Sequence, residues 1–277
     1  MTAGSTLALL LPALAAYLVL RQLRSGSTAP FSRVLAAAVA PGLGVGFASC
    51  AYFLLLLLVR NQHTAVRLDA GLWIMATGSL LARQFLQSRN PEQADDGIEG
   101  DAGGRPAWHP ALIITAVGVL LLLAVAAAAF WLHWSLNPHG EWDAWAIWNL
   151  RARSLLTGAD WAAPFSPAIA WSHPDYPLLL PLTVARLWAY AGSEGTMVPA
   201  VVAALFSLSS VAVVVISVGR LRGWPAGFLS GMALLIARTH VFQSSCQCAD
   251  QPIGFFILVA IVFVTMSRGA TGPGPSC

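Results

Sequence analysis

Long apolar runs alternate with short polar ones along almost the whole chain. Uncharged or nearly uncharged stretches cover about residues 3–20, 34–59, 68–86, 110–134, 197–218, 225–243 and 251–267. A bilayer core about 30 Å thick takes roughly 20 apolar residues at about 1.5 Å each. Backbone polar groups in lipid must pair within their own segment, so each stretch is predicted to be a helix. The pattern therefore predicts an all-α polytopic membrane protein with about seven transmembrane helices. The third span has the shortest apolar centre, with Asp69 near one end and Arg83 near the other.

Pro177–Ala191 is also apolar, but it is short and contains Pro181 and Arg186. Counting it as a full span would move Arg220 and Arg222 to the other face and separate Asp250 from the large polar loop before it. It is read as a helix lying at the interface or entering only part way.

The polar connections divide the rest. N-terminal helices fill 1–86, and a Gly-, Asp- and Glu-rich linker at 87–109 is too polar to bury a core. A membrane module follows at 110–268 with a large loop at 135–176, and a Gly-Pro tail occupies 269–277. The seven tryptophans from Trp131 to Trp171 suit that loop to a membrane surface.

Composition removes other classes. With 57% hydrophobic and 10% charged residues and a mean hydropathy of +0.69, no soluble-domain reading survives. The net charge of +3 comes from 15 arginines against 12 scattered carboxylates, which is no nucleic-acid footprint. Cys246 and Cys248 lie two apart without a second pair, so they read as small residues at a helix end rather than zinc ligands. No basic residue precedes the first apolar run, which is read as a retained helix.

Arginine bias orients the chain. Placing Arg21, Arg24, Arg33, Arg83, Arg89, Arg105, Arg220, Arg222 and Arg268 inside leaves Arg60, Arg67, Arg151 and Arg153 outside, with Arg186 and Arg238 within or beside apolar segments. The large loop then faces outward, and so do three polar clusters.

The first cluster is Glu141-Trp142-Asp143 at the head of a predicted amphipathic helix over 141–156, with Trp142, Trp145 and Trp148 on one arc. Those tryptophans suit anchoring at headgroup level, and Asp143 suits the positive end of a helix dipole. The second is His173-Pro174-Asp175-Tyr176, whose prolines predict extended backbone. The third is Asp250-Gln251-Pro252, an ordinary helix start. Ionisable groups brought from distant positions to one membrane boundary are candidates for function.

In order and spacing the three clusters resemble the GT-C class of polytopic glycosyltransferases, which take sugars from lipid-linked donors. Protein O-mannosyltransferases and aminoarabinose transferases of that class have an acidic residue in the first long external loop. They then have a His-Pro-Pro or Lys-Pro-Pro motif, and a further aspartate at the head of a later helix. Here Asp143, His173-Pro174 and Asp250 fall in that order, with Asp175 standing where those branches have a second proline. Trp142-Asp143-Ala144-Trp145-Ala146-Ile147-Trp148 with His173-Pro174-Asp175-Tyr176-Pro177 is closer still to a bacterial group of GT-C-like membrane proteins. The likeness covers roughly 107–264.

The resemblance implies a bacterial inner-membrane enzyme using a polyprenyl-phosphate sugar. Asp143 would take the acceptor hydroxyl's proton, with inversion at the anomeric carbon. Asp250 would position that acceptor or share a divalent metal with it. Arg151 and Arg153 would hold the donor phosphate, and Glu141, Trp142, His173, Asp175 and Tyr176 would line the substrate site. GT-C enzymes carry further spans after the third motif, so this chain is expected to be a truncated or split member, with a partner chain supplying the missing spans. The competing expectation is a non-catalytic scaffold or transporter-like subunit.

Overall fold

A computed structural model describes residues 1–22, 32–89, 109–156 and 162–270. Most of the expected linker and all but the start of the expected tail lie outside these residues. Among the described residues the chain is all-helical, and six helices are long and apolar enough to cross a membrane. They are α1 (Ala3–Gln22), α2 (Arg33–Val59), α3 (Gln62–Ser88), α4 (Pro110–Leu136), α7 (Met197–Arg222) and α10 (Asp250–Ala270). Between them lie the shorter α5 (Asn149–Leu156), α6 (Leu179–Ala191), α8 (Trp224–Ile236) and α9 (Arg238–Cys246).

Helix association in lipid relies on close packing rather than on escape from water, so small residues sit where helices touch. Gly42 lies against the Phe255 ring, Gly44 against the Pro12 carbonyl of α1, and Gly227 against the Val215 carbonyl of α7. Phe206, Phe255 and Phe256 then pack edge to face or tilted between α7 and α10.

The expected seventh span, 225–243, is not one helix. Ala237 is extended (φ −63°, ψ 107°) and separates α8 from α9. The run beginning Arg238-Thr239-His240 is too polar to continue a lipid-facing helix, and the break turns it toward α7 and α10. There His240 Nε2 is 3.1 Å from the Ser207 hydroxyl oxygen, and the Gln251 amide donates to the His240 carbonyl at 3.1 Å.

The short apolar segment corrects the interfacial reading. Every residue of α6 from Leu180 to Trp188 is buried, so the helix does not lie on a surface. Thirteen residues make a helix only about 20 Å long, short of a full crossing. Its first turns meet α2 well below that helix's end, where Thr183 and Ser49 share a 2.7 Å hydrogen bond. Its last turn meets the starts of α1 and α3, where the Tyr190 hydroxyl reaches Val66 and Asp69. α6 is thus a half-length helix rising inside the bundle.

Asp69 and Arg186, the two charges that interrupt the sequence pattern, explain one another. The Arg186 guanidinium lies 2.7 Å from Asp69 Oδ2 with both side chains buried, and it also donates to the Ala8 carbonyl at 2.7 Å. The Tyr190 hydroxyl and Trp73 indole N–H complete the carboxylate's partners. A buried charge is tolerated only when paired and hydrogen-bonded, and this cluster meets both conditions across α1, α3 and α6.

Candidate functional site at the loop end of the bundle

The segment after α4 folds back at once onto the α9–α10 turn. The Glu141 amide donates to the Cys246 carbonyl at 3.3 Å, and the Gln247 side-chain amide donates to the Pro138 carbonyl at 3.3 Å. Gly140 makes this approach feasible. It has φ +76°, and a Cβ there would fall 2.6 Å from the Cys246 carbonyl oxygen.

The amphipathic helix begins at Trp142, but Ala144–Trp148 is a π-turn that leads into α5. A π-turn changes the rotation per residue, so the expected tryptophan arc splits. Trp142 and Trp145 stay exposed, whereas Trp148 is buried and stacks on Tyr176 with ring centroids 5.5 Å apart. Trp171 is exposed as well. Exposure leaves Trp142 and Trp145 free to meet headgroups, whereas burial removes Trp148 from that expected role.

The second cluster is held beneath this helix. The Ser172 hydroxyl donates to the Ala146 carbonyl at 2.8 Å, and Arg151 donates to the His173 carbonyl at 3.5 Å and the Pro174 carbonyl at 3.2 Å. Residues 173–176 form a turn, with His173 in the left-handed region (φ 50°) and its ring stacked on Tyr176 at 4.6 Å. This replaces the expected extended backbone. Two carbonyls drawn onto one guanidinium and a ring stack hold the turn against the local preference before proline.

Arg151 is therefore no surface cation. Its side chain is fully buried and its Nε has no partner. Burial holds its pKa below the usual arginine value, and the nearby Asp175 charge partly opposes that shift. Arg153 is the more accessible of the two, paired with Glu194 at 2.9 Å and lying over the Trp188 ring at 5.7 Å.

The carboxylates point outward. Asp143, Asp175 and Asp250 are all exposed, as are His173 and Tyr176. Glu141 is taken up by His133 at 2.8 Å. Asp250 is the first residue of α10 rather than its cap. Asp143 and Asp250 both act on one buried group, the Cys248 thiol, whose pKa is raised. The causes are first its hydrogen bond with Cys246, then burial, then the charges of Cys246, Asp143 and Asp250. Two carboxylates distant in sequence thus lie within electrostatic reach of the same sulfur.

Asp250 also opens onto a cleft of about 400 Å³ between α7, the α8–α9 break and α10. Of its polar lining, Gln251 belongs to the third cluster, whereas Thr239, His240 and Gln243 lie outside the clusters that the sequence singles out. The available signal was the polar run from Arg238 inside an expected span. Among the described residues no three His, Cys, Asp or Glu side chains gather as metal ligands. A divalent ion shared by Asp143 and Asp250 would thus lack a third such ligand from the described residues.

Compared with protein-family models, curated proteins and solved structures, the chain matches none.

Proposed function

We propose that this chain is a GT-C-type glycosyltransferase that moves a sugar from a polyprenyl-phosphate donor to an acceptor hydroxyl at the outer face of a bacterial plasma membrane. The observation that carries this reading is the seating of the Gly140–Glu141 segment, next to exposed Asp143, on the Cys246–Gln247 turn that leads into exposed Asp250. A phosphate leaves as a weakly basic anion, so the chemistry asks for one base near the acceptor and no general acid. Asp143 is that base, acting as the hydroxyl attacks the anomeric carbon from the face opposite the phosphate. Asp250 orients the acceptor. Arg153 meets the donor phosphate, while Arg151 fixes the His173–Pro174 turn from below. The exposed rings of Trp142 and His173 offer stacking surfaces for a sugar, with Tyr176 supporting His173 from behind.

The test is transfer from a labelled polyprenyl-phosphate hexose in membranes containing the wild type or Asp143→Asn. Loss of about 10²-fold or more is expected for removal of a general base. Equal transfer by both removes Asp143 from the mechanism.

One observation favours a second reading, a transporter-like subunit. Broken helices with polar residues at the break are a feature of transporters, and α8–α9 is such a helix. Solute flux into proteoliposomes, abolished by His240→Ala but not by Asp143→Asn, would favour transport.

A further inference from the structure

We infer that the acceptor is itself a membrane lipid, a single-chain amphiphile with an uncharged hydroxyl head, seated in a groove between α7 and α10. This rests on the glycosyl-transfer reading above.

The Asp250 cleft does not end at its polar rim. Val214 and Leu258 line its lower part and also line a second hollow of about 210 Å³. That hollow continues between α7 and α10 past Leu221, Ile261 and Met266. Polarity therefore changes in one direction along a single path. Asp250, Gln251, Gln243 and Thr239 surround the head, and the hollow beyond it is lined mostly by apolar side chains, with Ser217 and Thr265 its polar members. From Asp250 to Met266 the path follows α10 for roughly 24 Å, most of the thickness of a hydrocarbon core. A free sugar or a peptide would have no use for the aliphatic part, whereas a lipid tail fills it.

Charge selects the head. The cleft lining contains no arginine, and Asp250 is its only carboxylate. An anionic phosphate there would meet a carboxylate of like sign with no arginine to offset it. A hydroxyl can instead accept hydrogen bonds from the amides and hydroxyl beside Asp250, which leaves its single proton for the base. The arginines suited to phosphate are held elsewhere: Arg151 bonds the His173–Pro174 turn, and Arg153 pairs with Glu194 beyond α6. Donor and acceptor thus have separate seats. In the transfer, the acceptor oxygen bonds to the anomeric carbon and its proton passes to Asp143. The bond from that carbon to the phosphate oxygen breaks, with its electron pair leaving on the phosphate.

Gly254 makes the groove testable without disturbing the fold. It lines the cleft, and a Cβ added there would meet nothing within 4 Å. The full chain in lipid nanodiscs is treated with two photoreactive probes that share one diazirine-bearing chain and end in a hydroxyl or a phosphate monoester. Cross-linked peptides are then mapped by mass spectrometry. The hydroxyl probe should label the Val214–Leu221 and Leu258–Met266 segments about fivefold more than the phosphate probe, a difference of about 1 kcal/mol. Gly254→Phe should remove most of that labelling with Tm unchanged, and Asp250→Asn should let the phosphate probe in. Equal labelling by both probes, or labelling indifferent to Gly254→Phe, overturns the site and leaves a groove filled by bulk lipid. Sugar transfer is assayed separately on the same variants. Groove labelling without any transfer overturns the transferase reading and with it the acceptor role. Transfer to a soluble acceptor with an unlabelled groove overturns the lipid site alone.

Discussion

The guanidinium of Arg186 and the carboxylate of Asp69 meet at 2.7 Å, although 117 positions separate them in the chain. Removing one partner leaves a buried charge, typically at a cost of about 3–5 kcal/mol. The two removals should differ. Arg186→Leu leaves a carboxylate that can take up a proton and keep Tyr190 and Trp73 as partners, whereas Asp69→Leu leaves a guanidinium that cannot shed its charge. Thermal unfolding in detergent should therefore rank Asp69→Leu below Arg186→Leu, with the double variant above Asp69→Leu. The opposite order would mean that the pair does not hold α6 in place.

Trp148 supplies a second expectation. Its ring is buried under the π-turn and stacked on Tyr176, so Trp148→Ala should cost about 3–5 kcal/mol, as for large aromatic deletions in cores. Trp145→Ala, on the same turn but exposed, should leave Tm nearly unchanged and weaken only the docking of the loop on the bilayer. Equal Tm losses for the two would contradict the inward rotation of Trp148.

The six long helices were legible because a bilayer imposes a length and a composition that a sequence displays directly. What stayed hidden involves partners distant along the chain. Asp69 weakened the reading of α3 and Arg186 that of α6, since neither shows in sequence that it neutralises the other. The break at Ala237 carries no proline or glycine, and only the polar residues after it hinted that α8 would stop. The shared face of Asp143 and Asp250 was expected from the two spans between them, since an even number of crossings returns the chain to the face it left, but the break at Ala237 replaces the second of those spans. The inward turn of Trp148 could not follow, since it depends on a π-turn that breaks the 3.6-residue period.

Thiol chemistry tests the packing at the α9–α10 turn. The Cys248 pKa is pushed up by its hydrogen bond with Cys246, by burial and by nearby negative charge, and the thiolate is the reactive form. Alkylation of the folded protein at mildly alkaline pH should therefore spare both Cys246 and Cys248, each of which is buried. Both should react once the chain is unfolded. Rapid modification of Cys248 in the native state would mean that the turn is open and that Asp143 and Asp250 need not face a shared centre.

Gly140 gives the sharpest test of how the loop is seated. Its positive φ disfavours any other residue, and a Cβ would press on both the Cys246 carbonyl and Ala144. The first obstacle is backbone, which cannot rotate aside as a side chain can. Gly140→Ala should therefore shift the Pro138–Asp143 segment off the α9–α10 turn and destabilise the protein by roughly 1–3 kcal/mol. Gly78→Ala is the matched control, because its Cβ enters open space in α3 and alanine favours a helix. If glycosyl transfer depends on Asp143 lying near Asp250, Gly140→Ala should lower the rate well beyond its loss of folded protein, while Gly78→Ala leaves the rate near wild type. A Gly140→Ala protein with full transfer per folded molecule would separate the activity from this contact and remove the shared carboxylate site from the mechanism.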